Sequence, residues 1–212
     1  MSRSRAQVFE DIYVHHLWND KGSRSGRGSD PEATRRIVRP LSEMLDLLEA
    51  TTLLDVGCGE STWLNREPPG YIGCDIVPQA VKAAQALHGD RKYFVADIVT
   101  DPLPRRDVIL CRDVLMHLPV EQGVQALENF RRTGALWLIA TTFEQGTNDR
   151  GIEVGEFYRI NMETPPFELV PIASIKDDWK FEDKALMAFH LQDRDPSEAE
   201  LNRMNYPHYP DV

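Results

Sequence analysis

Leu53-Leu-Asp-Val-Gly-Cys-Gly-Glu-Ser-Thr-Trp63 is an apolar run that ends in an acid and two glycines one residue apart. Glycine at 57 and 59 permits left-handed backbone and close approach to a ligand, and the residues beyond predict a helix whose opening amides would face it. A dinucleotide turn would place a third glycine at 62, where the sequence has Thr62. A phosphate-binding loop would need Gly-Lys-Ser or Gly-Lys-Thr, which occurs nowhere in the chain. Asp55 inside the turn is awkward for a phosphate and suits a ligand that carries a cationic amine and a sulfonium. The next apolar run, Tyr71-Ile-Gly-Cys-Asp75, ends in a carboxylate placed to accept both hydroxyls of a ribose. After the third run, Tyr93-Phe-Val-Ala96, Asp97-Ile98 is placed to bind an adenine amino group and cover its ring. Past the fourth run, Asp113 and His117 are four apart, so a helical turn would set them on one side. A His near its reference pKa of about 6.5 can remove a proton from an oxygen nucleophile, which makes Asp113 and His117 the candidate catalytic pair. Alignment and exclusion of water can carry such a transfer without a base, so two bland readings stay open: His117 shapes its loop, and Asp113 orients an acceptor.

These residues need elements to hold them. Five short apolar runs, at 52–56, 71–75, 93–96, 108–111 and 136–141, are separated by helix-capable segments, the pattern of a doubly wound, mostly parallel α/β sheet with helices on both faces. The stretch 97–107 is too short for a comfortable helix, whereas Val124, Leu127 and Phe130 mark one over 119–132. Two later candidates, 167–172 and 185–191, predict a closing hairpin, giving seven strands with the last antiparallel. Upstream, Val8, Phe9, Ile12, Tyr13 and His16 predict an amphipathic helix over 5–17. Residues 21–30, from Lys21 to Asp30, are otherwise Gly, Ser and Arg with nothing apolar to bury, a loop or lid. Asp30 before Pro31 then opens a helix that Pro40 is expected to kink or split. The expected division is an N-terminal helix and lid over 1–40, a core domain over 41–191 and a polar tail over 192–212, whose Tyr206-Pro-His-Tyr209 is expected to be disordered.

LLDVGCGESTWL, YIGCDIV, YFVADIV and CRDVLMHLP, in this order and at these separations, resemble the successive motifs of class I S-adenosylmethionine-dependent methyltransferases. The resemblance covers roughly residues 50 to 142. It implies a Rossmann-like fold, S-adenosyl-L-methionine as cofactor and S-adenosyl-L-homocysteine as product. Carried over by position, it makes Asp55, Gly57, Cys58 and Gly59 the methionine end of the cofactor site, Asp75 with Ile76 the ribose site, and Asp97 with Ile98 the adenine site. Cys111 and Arg112 would line the same pocket. Glu60-Ser61 departs from the pattern, since many members have a third small residue there. Ser25-Gly-Arg-Gly-Ser29 and Cys-Arg-Asp-Val-Leu-Met-His-Leu also resemble a small, mainly bacterial subgroup.

The 212 residues carry 24 Lys and Arg against 34 Asp and Glu, a net charge of −10, which disfavours broad nucleic-acid binding. Residues 1–39 are the exception, with eight Lys or Arg against five Asp or Glu. No stretch is long and apolar enough to span a membrane and the N-terminus lacks an apolar leader, so a cytoplasmic location is expected. Three cysteines match no zinc spacing, no metal site is expected, and Cys58 and Cys74 read as packing residues. Trp63 reads as a core anchor on the first helix. Arg24, Arg27, Arg35 or Arg36 would meet an anionic group from the lid, and Tyr158, Arg159 and Asn161 would line an acceptor site. The expected function is O-methylation of a small molecule or sugar by a monomer or homodimer. RNA or protein methylation and a non-catalytic cofactor-binding module are the alternatives.

Overall fold

The computed structural model describes residues 3–18, 22–65, 67–148 and 151–192. Seven strands form one sheet: β1 Thr52–Val56, β2 Gly70–Asp75, β3 Lys92–Val95, β4 Val108–Cys111, β5 Trp137–Phe143, β6 Pro171–Lys176 and β7 Lys184–His190. Their order is β3-β2-β1-β4-β5-β7-β6, all parallel except β7, which pairs antiparallel with both neighbours. Strand alternation sorts the core into two layers. Leu53, Val108, Leu110, Trp137 and Ile139 face one way and meet Leu41, Met44 and Leu45 of α3 (Val38–Leu47). Leu54, Ile109, Cys111, Leu138 and Ala140 face the other and meet Ala126, Leu127 and Phe130 of α5 (Val120–Arg132). Truncating any of these leucines would destabilise the chain by roughly 2–5 kcal/mol.

Several expectations need correction. No described residue of 57–69 is helical: Gly57, Gly59 and Ser61 all have left-handed φ, and Pro68 and Pro69 follow, so the helix predicted after the glycine turn has no room to start. Pro40 splits nothing. The break falls earlier, between α2 (Pro31–Thr34) and α3, and Pro40 sits in the first turn of α3, where the missing amide hydrogen is not needed. Ile37 is fully buried in the same core layer as α3. The first strand of the closing hairpin lies four residues later than predicted, because Phe167 and Leu169 bury into the core as a loop and the edge strand starts at Pro171. The predicted first helix ends at Val14, as α1 (Arg5–Val14). Of the expected tail only Gln192 lies inside the described residues.

Candidate active site

The carboxyl ends of β1, β2, β3 and β4 open into a cavity of about 350 Å³, at the edge where open α/β sheets hold ligands. The N-terminal arm closes one side of it. Tyr13 of α1 donates its hydroxyl to Glu60 Oε1 (2.9 Å), Ser23 donates to Glu60 Oε2 (3.1 Å), and the Glu60 amide donates to Ser25 Oγ (3.2 Å). The residue that departs from the family pattern is therefore the clasp for the arm. Two glycines make the fit possible. A Cβ on Gly59 would stand 2.2 Å from Ser25 Oγ, and one on Gly28 would stand 2.5 Å from Asp113 Oδ2.

Eight of the expected site residues lie on the cavity wall: Gly57, Asp75, Ile76, Asp97, Ile98, Arg112, Asp113 and His117. Asp75 accepts the Gly59 amide on Oδ2 and the Val77 amide on Oδ1, both at 2.9 Å, and each oxygen retains a lone pair. Burial raises its carboxyl above the ordinary value despite these amides. Asp97 accepts the Val99 amide on Oδ1 (3.0 Å) and pairs through Oδ2 with Arg5 of α1 (2.7 Å). The other four expected residues do not line the cavity. Asp55 shares a face of β1 with Leu53, away from it, and accepts the Tyr71 hydroxyl at 2.9 Å; burial raises its carboxyl to about 7. Cys58 and Cys111 are buried, and burial raises both thiols, which keeps them protonated. Gly59 lies beneath Ser25.

The helical turn expected across Asp113 and His117 is absent. Asp113 is left-handed (φ 58°) and a 3₁₀ turn, Leu115–His117, follows it. Asp113 belongs to a buried quartet that sequence reasoning missed. Arg112 donates two bonds to Asp177 (3.0 and 3.2 Å), Lys184 Nζ lies 2.9 Å from Asp177 and 2.8 Å from Asp113, and Thr141 donates to Asp113 at 2.9 Å. Burial alone would raise the Asp113 carboxyl, but Lys184 and Arg112 hold it well below the carboxylate range. Arg112 also donates to the Gly28 carbonyl (2.7 Å), tying the arm to β4. The signals were a lone Lys opening the apolar run of β7 and an acid just after β6, each unremarkable alone.

His117 Nδ1 lies 2.8 Å from the Glu156 carbonyl oxygen, which can only accept. Nδ1 therefore carries the proton and Nε2 keeps its lone pair. Burial depresses its pKa, keeping the ring neutral. Trp18 stacks on it at 4.3 Å, and Phe157 and Phe181 stack on each other at 5.7 Å on the same wall. Phe157, not the expected Tyr158, faces the cavity: Tyr158 is fully buried, Arg159 pairs with Asp183, and Asn161 is held by carbonyls of Glu144 and Gly146. Arg24 and Arg27 reach the wall; Arg36 pairs with Asp178 instead and Arg35 is away from it. Trp63 lies under the Arg112 guanidinium, 5.1 Å from ring to carbon, on no helix.

Residues 54–133 match the model of a methyltransferase domain family. No curated protein matches the sequence. The magnesium protoporphyrin IX methyltransferase of Synechocystis PCC 6803, solved with bound SAH, shares the fold with a TM-score of 0.63 at 14% identity, covering 88% of this chain and 99% of that one. The N-methyltransferase NodS of Bradyrhizobium japonicum WM9, in complex with S-adenosyl-L-homocysteine, gives 0.60 at 17% identity over 89% and 98%. The methyltransferase domain of a bacterial Hen1 gives 0.54 at 15% identity over 74% and 98%. At these identities the likeness is one of fold.

Proposed function

We propose that this chain is a class I S-adenosylmethionine-dependent methyltransferase that methylates an oxygen of a small-molecule acceptor held beneath its N-terminal arm. One observation carries the reading: a single cavity runs from the carboxylates at the ends of β2 and β3 to His117 and its aromatic neighbours. In this assignment Asp75 takes the ribose hydroxyls on its free lone pairs, Ile76, Ile98 and Val99 cover the adenine, and Arg24 meets the methionine carboxylate. The site's chemistry fits that ligand, with acceptors for the hydroxyls, apolar faces for the ring and a cation for the carboxylate. When bound, S-adenosylmethionine supplies a methyl group on a cationic sulfur that departs as a neutral thioether.

The chain's own residues do the rest. His117 Nε2 takes the acceptor hydroxyl's proton, and its depressed pKa leaves that nitrogen free near neutrality. Asp113 is a positioning residue rather than a base, since Lys184 and Thr141 occupy it and its carboxyl is too weakly basic to hold a proton. Contact of α1 and residues 24–29 with the cavity excludes water and favours a small acceptor over a polymer.

The test is calorimetric titration of the full chain with S-adenosylmethionine and with S-adenosylhomocysteine, beside Asp75→Ala. We expect micromolar binding, weakened roughly tenfold to hundredfold in the variant because a charged acceptor of two hydrogen bonds is lost. Equal affinity in the variant would place the ribose elsewhere.

A further inference from the structure

The acceptor end of the cavity differs in character from the cofactor end. The carboxylate beside His117 is spoken for: Asp113 pairs with Lys184 and Arg112. Three cations on the wall, Arg24, Arg27 and Lys180, have no carboxylate within ion-pair distance among the described residues, in a chain of net charge −10. Arg24 lies over the Tyr13 ring (5.7 Å), on the side of Asp75, where the proposed cofactor carboxylate uses it. Arg27 and Lys180 remain, with Lys180 Nζ 5.0 Å from the Phe181 centroid. Like charges left unpaired at a cavity rim create a potential that an anionic ligand would satisfy.

The rings specify the rest of the ligand. Phe157 and Phe181 lie 11° from parallel, Trp18 and His117 27° from parallel, and all four line the cavity. Each pair is stacked on itself, and a wall built of four such rings favours an aromatic partner by edge or offset contact. A polyhydroxylated ligand would instead need amides and carboxylates around it, yet among the described residues no Asn, Gln or Glu side chain lines the wall.

We propose that the acceptor is an aromatic acid: a planar ring bearing a hydroxyl and an anionic group, the ring against Phe157, Phe181, Trp18 and His117, the anion toward Lys180 and Arg27. This deepens the reading given above and rests on it. It selects an aromatic acid over a sugar or a neutral phenol.

The test measures binding of salicylate and hydroxynaphthoate to the full chain saturated with S-adenosylhomocysteine, with phenol, naphthol, cyclohexanecarboxylate and glucuronate as comparators. At least one aromatic acid should bind, each neutral phenol and each non-aromatic acid about tenfold more weakly. Lys180→Gln should weaken the aromatic acid about fivefold, as loss of a partly exposed ion pair does, and leave the matching neutral phenol unchanged. Phe157→Leu should weaken the aromatic acid by a similar factor and spare cyclohexanecarboxylate. Glucuronate binding as tightly, no preference for acid over phenol, or no binding by either aromatic acid would each overturn the proposal while S-adenosylhomocysteine binding stands. Failure of S-adenosylhomocysteine itself to bind would instead overturn the function on which it rests.

Discussion

His117 and Asp55 show how one physical effect, burial, has opposite consequences on a base and an acid. For His117 burial favours the neutral ring, so its folded pKa lies below the ordinary 6.5. The unfolded chain therefore takes up the proton first as pH falls, and the stability this residue contributes is full above about pH 6.5 and lost below it. Activity follows the same direction. Turnover of an acceptor should be flat above about pH 6.5 and fall on acidification, and His117→Asn should lower kcat about a hundredfold while leaving S-adenosylhomocysteine affinity intact. An unchanged kcat would return His117 to a loop-shaping role. For Asp55 burial favours the neutral acid, raising its carboxyl from 3.8 to about 7. Between those values the unfolded chain is ionised while the folded one holds its proton, so stability declines as pH rises through that window. Asp55→Asn, which still accepts from Tyr71, should therefore raise the melting point at about pH 8, equivalent to about 2 kcal/mol, and do little at about pH 4. Equal melting-point changes at both would mean that Asp55 is ionised in the fold. Its place in the turn had suggested a contact with a cationic ligand, but strand alternation aims it at Tyr71, away from the cavity.

At the scale of elements, the positions of β1 to β5 were legible because their apolar runs are short and separated by polar or helix-capable segments. The seventh strand and the irregular crossover over 97–107 were legible too, the latter from its length. The glycine turn misled beyond residue 60, since alternating left-handed positions and Pro68-Pro69 defeat the helix that a strand ending in two spaced glycines suggests. Long-range pairs were invisible in principle. Nothing local to Asp177 or Lys184 says that residues 65 and 71 positions upstream, Arg112 and Asp113, will meet them. That quartet joins the end of β4 to β7 and to the residues just after β6, with Arg112, Asp177 and Lys184 side chains at most 4% exposed. Asp177→Ala would strand two cations beside one carboxylate, and we expect a loss of about 3–5 kcal/mol, near 10 °C in melting temperature. A loss below about 1 kcal/mol would show that water reaches the site and replaces the carboxylate.

The whole molecule divides its charge unevenly. The arm over 1–39 is the cationic part of an acidic chain, and it supplies Arg5, Arg24 and Arg27 to the cavity wall. The arm also contributes little to the two main core layers: of its described residues before Pro31, only Phe9 packs against the larger one, and Tyr13 joins a small cluster with Val77 and Ala80. Positioning of the arm thus rests on polar contacts, from Tyr13 and Ser23 to Glu60, from Arg5 to Asp97 and from Gly28 to Arg112, together with the stacking of Trp18 on His117 and the burial of Ile12 and Tyr13. Folding and ligand binding should therefore separate. A chain lacking residues 1–29 should still unfold cooperatively, destabilised by about 2 kcal/mol, because the sheet keeps both of its helical layers. It should lose S-adenosylhomocysteine affinity more than about a hundredfold, because the cofactor then gives up a guanidinium partner and the wall that desolvates it. Thermal melting by circular dichroism and titration calorimetry on the same preparation separate the two effects. Binding retained within about threefold would remove the arm from the cofactor site, and loss of the cooperative melt would make it part of the folding core instead.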